Sequence, residues 1–149
     1  LSNLESALQL AALGYRVFPL EPNGKKPIIR QWPERATTDE GVIRSWWTDW
    51  PQSNIGIATG RGLLVLDCDC KGGKGGLDSL AVLDMMGLPG AMRVTTPSGG
   101  VHVYLACSGE RANSVNELRD LPGIDIRGDG GFVVAPGSSI NNTPYAVLA

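Results

Sequence analysis

Leu63-Leu64-Val65-Leu66-Asp67-Cys68-Asp69-Cys70 runs from four apolar residues into alternating aspartate and cysteine. A short apolar run that ends in charge reads as a β-strand whose end carries chemistry. Side chains alternate along a strand, so Asp67 and Asp69 share a face with Val65, their Cα atoms about 6.6–7 Å apart. Leu64, Leu66, Cys68 and Cys70 take the opposite face, which is expected to be buried. Two carboxylates placed this way suit hard divalent cations, which prefer oxygen ligands. They equally suit a solvated strand end that binds nothing, and this stretch alone does not separate the two readings.

The rest of the chain bounds the answer. Its 149 residues suffice for one domain with a real core. Hydrophobic residues make up 42% and charged residues 19%, which excludes a disordered polymer. No apolar run approaches the roughly 20 residues that a membrane span needs. No signal-peptide pattern opens the chain, and a first residue of Leu in place of Met predicts a fragment of a longer protein. Three cysteines without a C-x-x-C pair argue against a disulfide framework and a structural zinc site, so a reducing cytoplasm is expected. A net charge of −2 predicts weak template binding by this chain alone, should it meet nucleic acid.

Ser2-x-x-Glu5 reads as a capping box, with Leu4, Leu8 and Ala11 at helical spacing behind it. Tyr15–Leu20 reads as a strand. The loop Glu21–Pro33 carries Lys25, Lys26 and Arg30, cations that either meet phosphates or stay solvated. Thr37-x-x-Glu40 is a second capping pattern, opening a helix with a stripe of Val42, Ile43, Trp46, Trp47 and Trp50. Asn54–Thr59 is a short strand. After the acids, Lys71–Gly76 (KGGKGG) is either a phosphate cradle or a flexible connector, and it is not a P-loop. A helix from Leu77 to Gly87 and a strand over Met92–Thr96 follow, then a tight turn at Pro97-Ser98-Gly99-Gly100.

Val101–Ala106 alternates cleanly, with Val101, Val103 and Leu105 on one face and His102, Tyr104 and Ala106 on the other. His102 is the single histidine of the chain. Ser108–Pro122 is polar and irregular. Gly123–Gly128 is a strand with Asp125 and Arg127 on one face, and the turn Gly128–Gly131 predicts a hairpin with Phe132–Ala135. Pro136–Pro144 reads as a loop and Tyr145–Leu148 as a last strand. Three strands thus repeat one pattern: an apolar inner face, and an open polar face bearing Asp67 and Asp69, then His102, then Asp125 and Arg127. Were they neighbours, the acids would suit divalent metals clamping a triphosphate, with His102 and Arg127 stabilising phosphate charge.

Asp67-x-Asp69, Ser98-Gly99-Gly100-Val101-His102 and Gly123-Ile124-Asp125-Ile126-Arg127-Gly128 together resemble the three motifs of the bifunctional primase–polymerase domain, a branch of the archaeo-eukaryotic primase superfamily. Gly24-Lys25-Lys26-Pro27, the Trp46-Trp47 helix, Ile55–Gly60 and Gly130–Pro136 resemble further family segments, so the likeness runs from Gly14 to Tyr145. The resemblance implies an α/β (α+β) fold, with an RRM-like antiparallel catalytic sheet packed beside an N-terminal α/β unit, residues 1–149 forming one catalytic domain. It implies DNA-templated nucleotidyl transfer, in primer synthesis or DNA polymerisation, by two divalent ions, Mg²⁺ or Mn²⁺, on Asp67, Asp69 and Asp125. Ser98, His102, Arg127, Lys25 and Lys26 would contact the nucleotide. The implied partners are a single-stranded DNA template, nucleoside or deoxynucleoside triphosphates, and a fused or associated helicase of a phage or plasmid replication protein.

The alternatives come from other classes. A rolling-circle nickase needs paired histidines and a tyrosine nucleophile, which one histidine does not supply. A nucleotide cyclase would show a Gly-Gly-(Asp/Glu)-Glu-Phe-like run, and none occurs. A degenerate, non-catalytic nucleotide- or nucleic-acid-binding module is the remaining rival. Parity further predicts that Cys68 and Cys70 are buried and bind no metal.

Overall fold

A computed structural model describes residues 1–89, 91–108 and 121–148. In chain order the elements are α1 (Asn3–Ala12), β1 (Val17–Pro22), α2 (Trp32–Arg35), α3 (Glu40–Asp49), β2 (Ser53–Ala58) and β3 (Leu63–Cys68). They continue as α4 (Gly76–Met85), β4 (Arg93–Thr95), β5 (Val101–Ala106), β6 (Ile124–Arg127), β7 (Phe132–Val134), β8 (Ser139–Ile140), β9 (Thr143–Pro144) and β10 (Ala146–Val147). The class is mixed α and β with antiparallel pairing between the strands, as the resemblance implies. Most of the stretch Ser108–Pro122 lies outside the described residues.

The chain forms two compact units, Leu1–Ala58 with Phe132–Tyr145, and Thr59–Gly131 with Ala146–Ala149. The first holds a sheet ordered β1-β2-β7 with α1 and α3 against it. Ser2 caps α1 as its motif predicts, its hydroxyl accepting from the Glu5 N–H at 3.1 Å. The cap of α3 falls two residues later than Thr37, because the Asp39 carboxylate takes the Val42 N–H at 3.0 Å. Thr37 instead accepts from the Asp39 N–H, which steadies the approach to that cap. The Ser53 carbonyl accepts from both Asn3 Nδ2 and the Trp47 indole, which ties α1 and α3 to the start of β2. Prolines sit on β1, where an edge strand tolerates a missing donor. Above β2, the rings of Phe18, Trp32 and Phe132 form a cluster with centroids 4.9–5.4 Å apart. Gly56 makes room for it, since a Cβ there would stand 2.6 Å from the Phe18 ring. The segment read as a loop after Pro136 contains the hairpin β8–β9, turned by Asn141 and Asn142 at φ 50° and 65°. Two left-handed asparagines are the signature of a tight hairpin turn.

The second unit holds the sheet β10-β4-β5-β3-β6. Its β3-α4-β4-β5-β6 order, with β3 and β5 central, is the split arrangement of an RRM-like sheet. The inner face is apolar: Leu66, Cys68, Val101, Val103 and Ile124 pack with Leu80 of α4. A hairpin between β6 and β7 does not form. β6 pairs with β3 and β7 with β2, in different sheets. The turn at Gly128–Gly131 is engaged by Thr59, whose Oγ1 donates to the Gly128 carbonyl at 2.6 Å and whose N–H donates to that of Gly131 at 2.9 Å. Those bonds hold the turn against Thr59.

Two consequences are open to measurement. Cys68 is fully buried and its thiol is pushed up to about 12, chiefly by burial and then by the negative Asp67 beside it. Only thiolate reacts, and at pH 8 roughly one such thiol in ten thousand is ionised. Alkylation of the native protein followed by mass spectrometry should label the half-exposed Cys70 and Cys107 and spare Cys68 until the protein is denatured. Arg93 on β4 grips Asp84 of α4 with both guanidinium ends and holds its carboxyl below the ordinary 3.8. A native value below the unfolded one gives stability that is present above pH 3.8 and lost as pH falls through the native value. The melting difference between the native chain and Asp84→Asn should therefore be seen at neutral pH and close in acid.

Candidate active site

Register decides the site. Asp67 of β3 stands opposite His102 of β5 on one side and opposite Asp125 of β6 on the other. Val94 of β4 lies beyond His102, so Val94, His102, Asp67 and Asp125 make one row across four strands. The next row on this face holds Tyr104, Val65 and Arg127. The alternation expected of β3, β5 and β6 thus brings Asp67, His102, Asp125 and Arg127 together. The cause is the opposite face, where Leu66, Cys68, Val103 and Ile124 must stay in the core, and a slip of one residue would invert both faces.

Charge in the row is compensated locally. His102 Nε2 lies 3.4 Å from Asp67 Oδ1. Arg127 reaches back along the face, its Nη2 3.8 Å from Asp67 Oδ2 and 3.9 Å from Asp125 Oδ2. Directly opposed like charges destabilise a strand pair, and a guanidinium between the two carboxylates offsets that. The Asp67 and Asp125 side chains keep 26% and 20% of their exposure, enough to meet a ligand from solvent.

Three expectations are corrected. The polar face is not open throughout, because His102 is only 6% exposed and Val65, Val94 and Tyr104 are buried as well. Period-two patterning tells which face a side chain takes, not what else covers that face. Asp69 does not continue the row, because β3 ends at Cys68. Its carboxylate turns into the following loop, accepting the Lys71 N–H at 2.8 Å and facing Lys74 Nζ at 3.5 Å. Cys70, past the same strand end, is half-exposed rather than buried and its thiol donates to the Ser98 carbonyl.

The backbone of Asp69 is nonetheless held in place. Its N–H donates to the Gly123 carbonyl at 2.7 Å and its carbonyl accepts from the Gly76 N–H at 3.0 Å. Gly123 has φ 82°, and a Cβ there would meet Gly76 N at 2.4 Å and Asp69 O at 2.8 Å. Only glycine fits, in conformation and in space. That glycine opens the third motif, so the motif carries a packing requirement beside its aspartate.

The remaining predicted residues are spread. Ser98 is exposed on the β4–β5 turn, its hydroxyl 3.3 Å from that of Thr96, and its carbonyl receives Cys70. Lys25 and Lys26 are exposed on a turn of the first unit, closed by the Glu21 N–H donating to the Lys26 carbonyl at 2.8 Å. The sequence reading singled out the loop of Lys74 but not its pairing with Asp69, for which an Asp-to-Lys spacing of five residues across glycines was the available signal.

Carboxylate oxygens such as those of Asp67, Asp125 and Asp69 are the ligand type that hard cations prefer. Among the described residues no three His, Cys, Asp or Glu side chains are gathered closely enough to hold an ion. No helix among them is long and apolar enough to cross a membrane. Comparison with curated proteins gave no match. The family model described as bifunctional DNA primase/polymerase, N-terminal, matches residues 7–149, spanning both units and all three motifs. On that match the chain belongs to the bifunctional DNA primase/polymerase N-terminal family.

Proposed function

We propose that this chain carries out DNA-templated nucleotidyl transfer, making or extending primers from nucleoside triphosphates, with Asp67, Asp69 and Asp125 as its metal-holding carboxylates. Family membership makes it a nucleotidyltransferase of the primase/polymerase class, with DNA and nucleotides as substrates. The observation that carries the residue assignment is the row itself, with Asp67 flanked by His102 and Asp125 on adjacent strands. Single-stranded template, a helicase partner, a cytoplasmic setting and the treatment of residues 1–149 as one catalytic domain belong to the same proposal.

The donor set fits Mg²⁺ or Mn²⁺ in kind, with Asp67 and Asp125 adjacent and Asp69 following one residue past the strand end. When bound, two such ions supply activation of a primer 3′-hydroxyl and neutralisation of the leaving pyrophosphate. The ladder sets the Cα atoms of Asp67 and Asp125 opposite each other, which supports reading the two carboxylates as a pair. His102, almost buried, has Nε2 against Asp67, and in this reading the N–H at that nitrogen turns to a phosphate oxygen when nucleotide binds. Arg127 offers a planar fork of donors to the same anion. Ser98 adds a hydroxyl from the glycine-rich turn that leads into β5. Lys25 and Lys26 remain proposed phosphate contacts of the first unit.

The test is primer extension with Mn²⁺, run beside calorimetry and thermal melting. Asp67→Asn and Asp125→Asn should lower extension by about 10²–10⁴-fold, the equivalent of several kcal/mol of lost charge stabilisation. Mn²⁺ binding should fall with it, while melting stays within a few degrees. Either variant extending primers at the native rate defeats the assignment. A native chain that binds nucleotide but extends nothing favours the non-catalytic binding module. His102→Asn should weaken nucleotide binding about ten- to a hundred-fold, the value of one charge-assisted hydrogen bond, and leave Mn²⁺ binding intact.

A further inference from the structure

Every carboxylate of the site already faces a cation of the chain itself. One guanidinium nitrogen of Arg127 lies between Asp67 and Asp125, at 3.8 and 3.9 Å. Lys74 Nζ stands 3.5 Å from Asp69 Oδ2, and the Lys71 N–H occupies Asp69 Oδ1. These are the oxygens a divalent ion would use. An ion cannot enter beside a guanidinium and an ammonium on the same oxygens without like-charge repulsion.

Both cations are built to leave. The Arg127 side chain is one third exposed and extends from a strand whose ladder does not involve its head group. Lys74 is 59% exposed. It follows Gly72 and Gly73, which have φ 67° and 78°, and precedes two more glycines, so no adjoining side chain hems in its own.

We infer that Arg127 and Lys74 are exchangeable counter-ions, which neutralise the carboxylates in the metal-free protein and move onto the nucleotide's phosphates once divalent ions displace them. This rests on the reading of the three aspartates as metal ligands. It makes metal and nucleotide binding mutually supportive, since each ion that enters frees a cation for the triphosphate. It assigns KGGKGG neither to a phosphate cradle nor to a mere connector, but to a tether that lets one lysine serve two anions in turn.

The opposing signs of two affinities test it. Titrated with Mn²⁺ alone in a calorimeter, Arg127→Gln and Lys74→Gln should each bind about three- to ten-fold tighter than the native chain, because a competitor is gone. Titrated with a deoxynucleoside triphosphate at saturating Mn²⁺, the same variants should bind about ten-fold weaker. Arg127→Lys, which keeps the charge, should restore native Mn²⁺ affinity. Lys74→Gln is an exposed loop change, so it carries the test if melting shows Arg127→Gln misfolded. A native chain that binds Mn²⁺ while both variants bind it no tighter overturns this inference and leaves the metal reading standing. If neither native chain nor variants bind Mn²⁺, the metal reading falls and the inference with it. If the variants alone bind it, competition is shown in its strongest form.

Discussion

Asp67 and Asp125 face each other across neighbouring strands, an arrangement that a sheet avoids unless something compels it. What compels it is the other side of the same strands. Leu66, Cys68, Ile124 and Val103 close the core over α4, and a strand cannot turn one set of side chains inward without turning the other outward. Burial of each such side chain stabilises the fold by about 1.5–3 kcal/mol, whereas a partly exposed charge pair costs on the order of 1 kcal/mol. The apolar face therefore wins, and the repulsion is tolerated and locally offset by Arg127. The chemistry is held in place by residues that never touch it.

The second constraint is backbone crowding around Asp69. Strand parity ends at Cys68, and from there the chain is positioned by hydrogen bonds to Gly123 and Gly76 rather than by a ladder. The Asp69 carboxylate is met by the Lys71 N–H and by Lys74 of its own loop, and not by a facing strand. The three acids are thus unequal: two set by register, and one set by a loop.

How much of this was legible depended on the kind of force at work. β5 runs over Val101–Ala106 and β3 begins at Leu63, as alternation and turn residues indicate, because there local pattern and burial agree. The Ser2 cap is equally local. The hairpin expected at Gly128–Gly131 failed because a partner far away in sequence, Thr59, claimed the turn. Asp69 and Cys70 departed from parity because periodicity cannot mark the residue at which a strand stops pairing. His102 proved buried because a pattern along one strand carries no information about what lies over it. Its position opposite Asp67 was nonetheless implicit in the shared alternation, which is why the row itself could be anticipated.

The route of the chain has one more consequence. Phe132–Tyr145 returns to the first unit, where β7 covers the free edge of β2, and β10 then covers β4 in the second. Both sheets therefore wait for the stretch Phe132–Val147 to gain an edge strand. During synthesis, β2 would emerge with Ile55 and Ile57 on an unpaired margin, and stay so until Phe132–Val134 had been made. Such an edge is a template for pairing with the wrong chain. Vectorial folding, unit by unit from the N-terminus, is closed to a polypeptide threaded in this way. Its nascent form should lean on chaperones until those two strands are made.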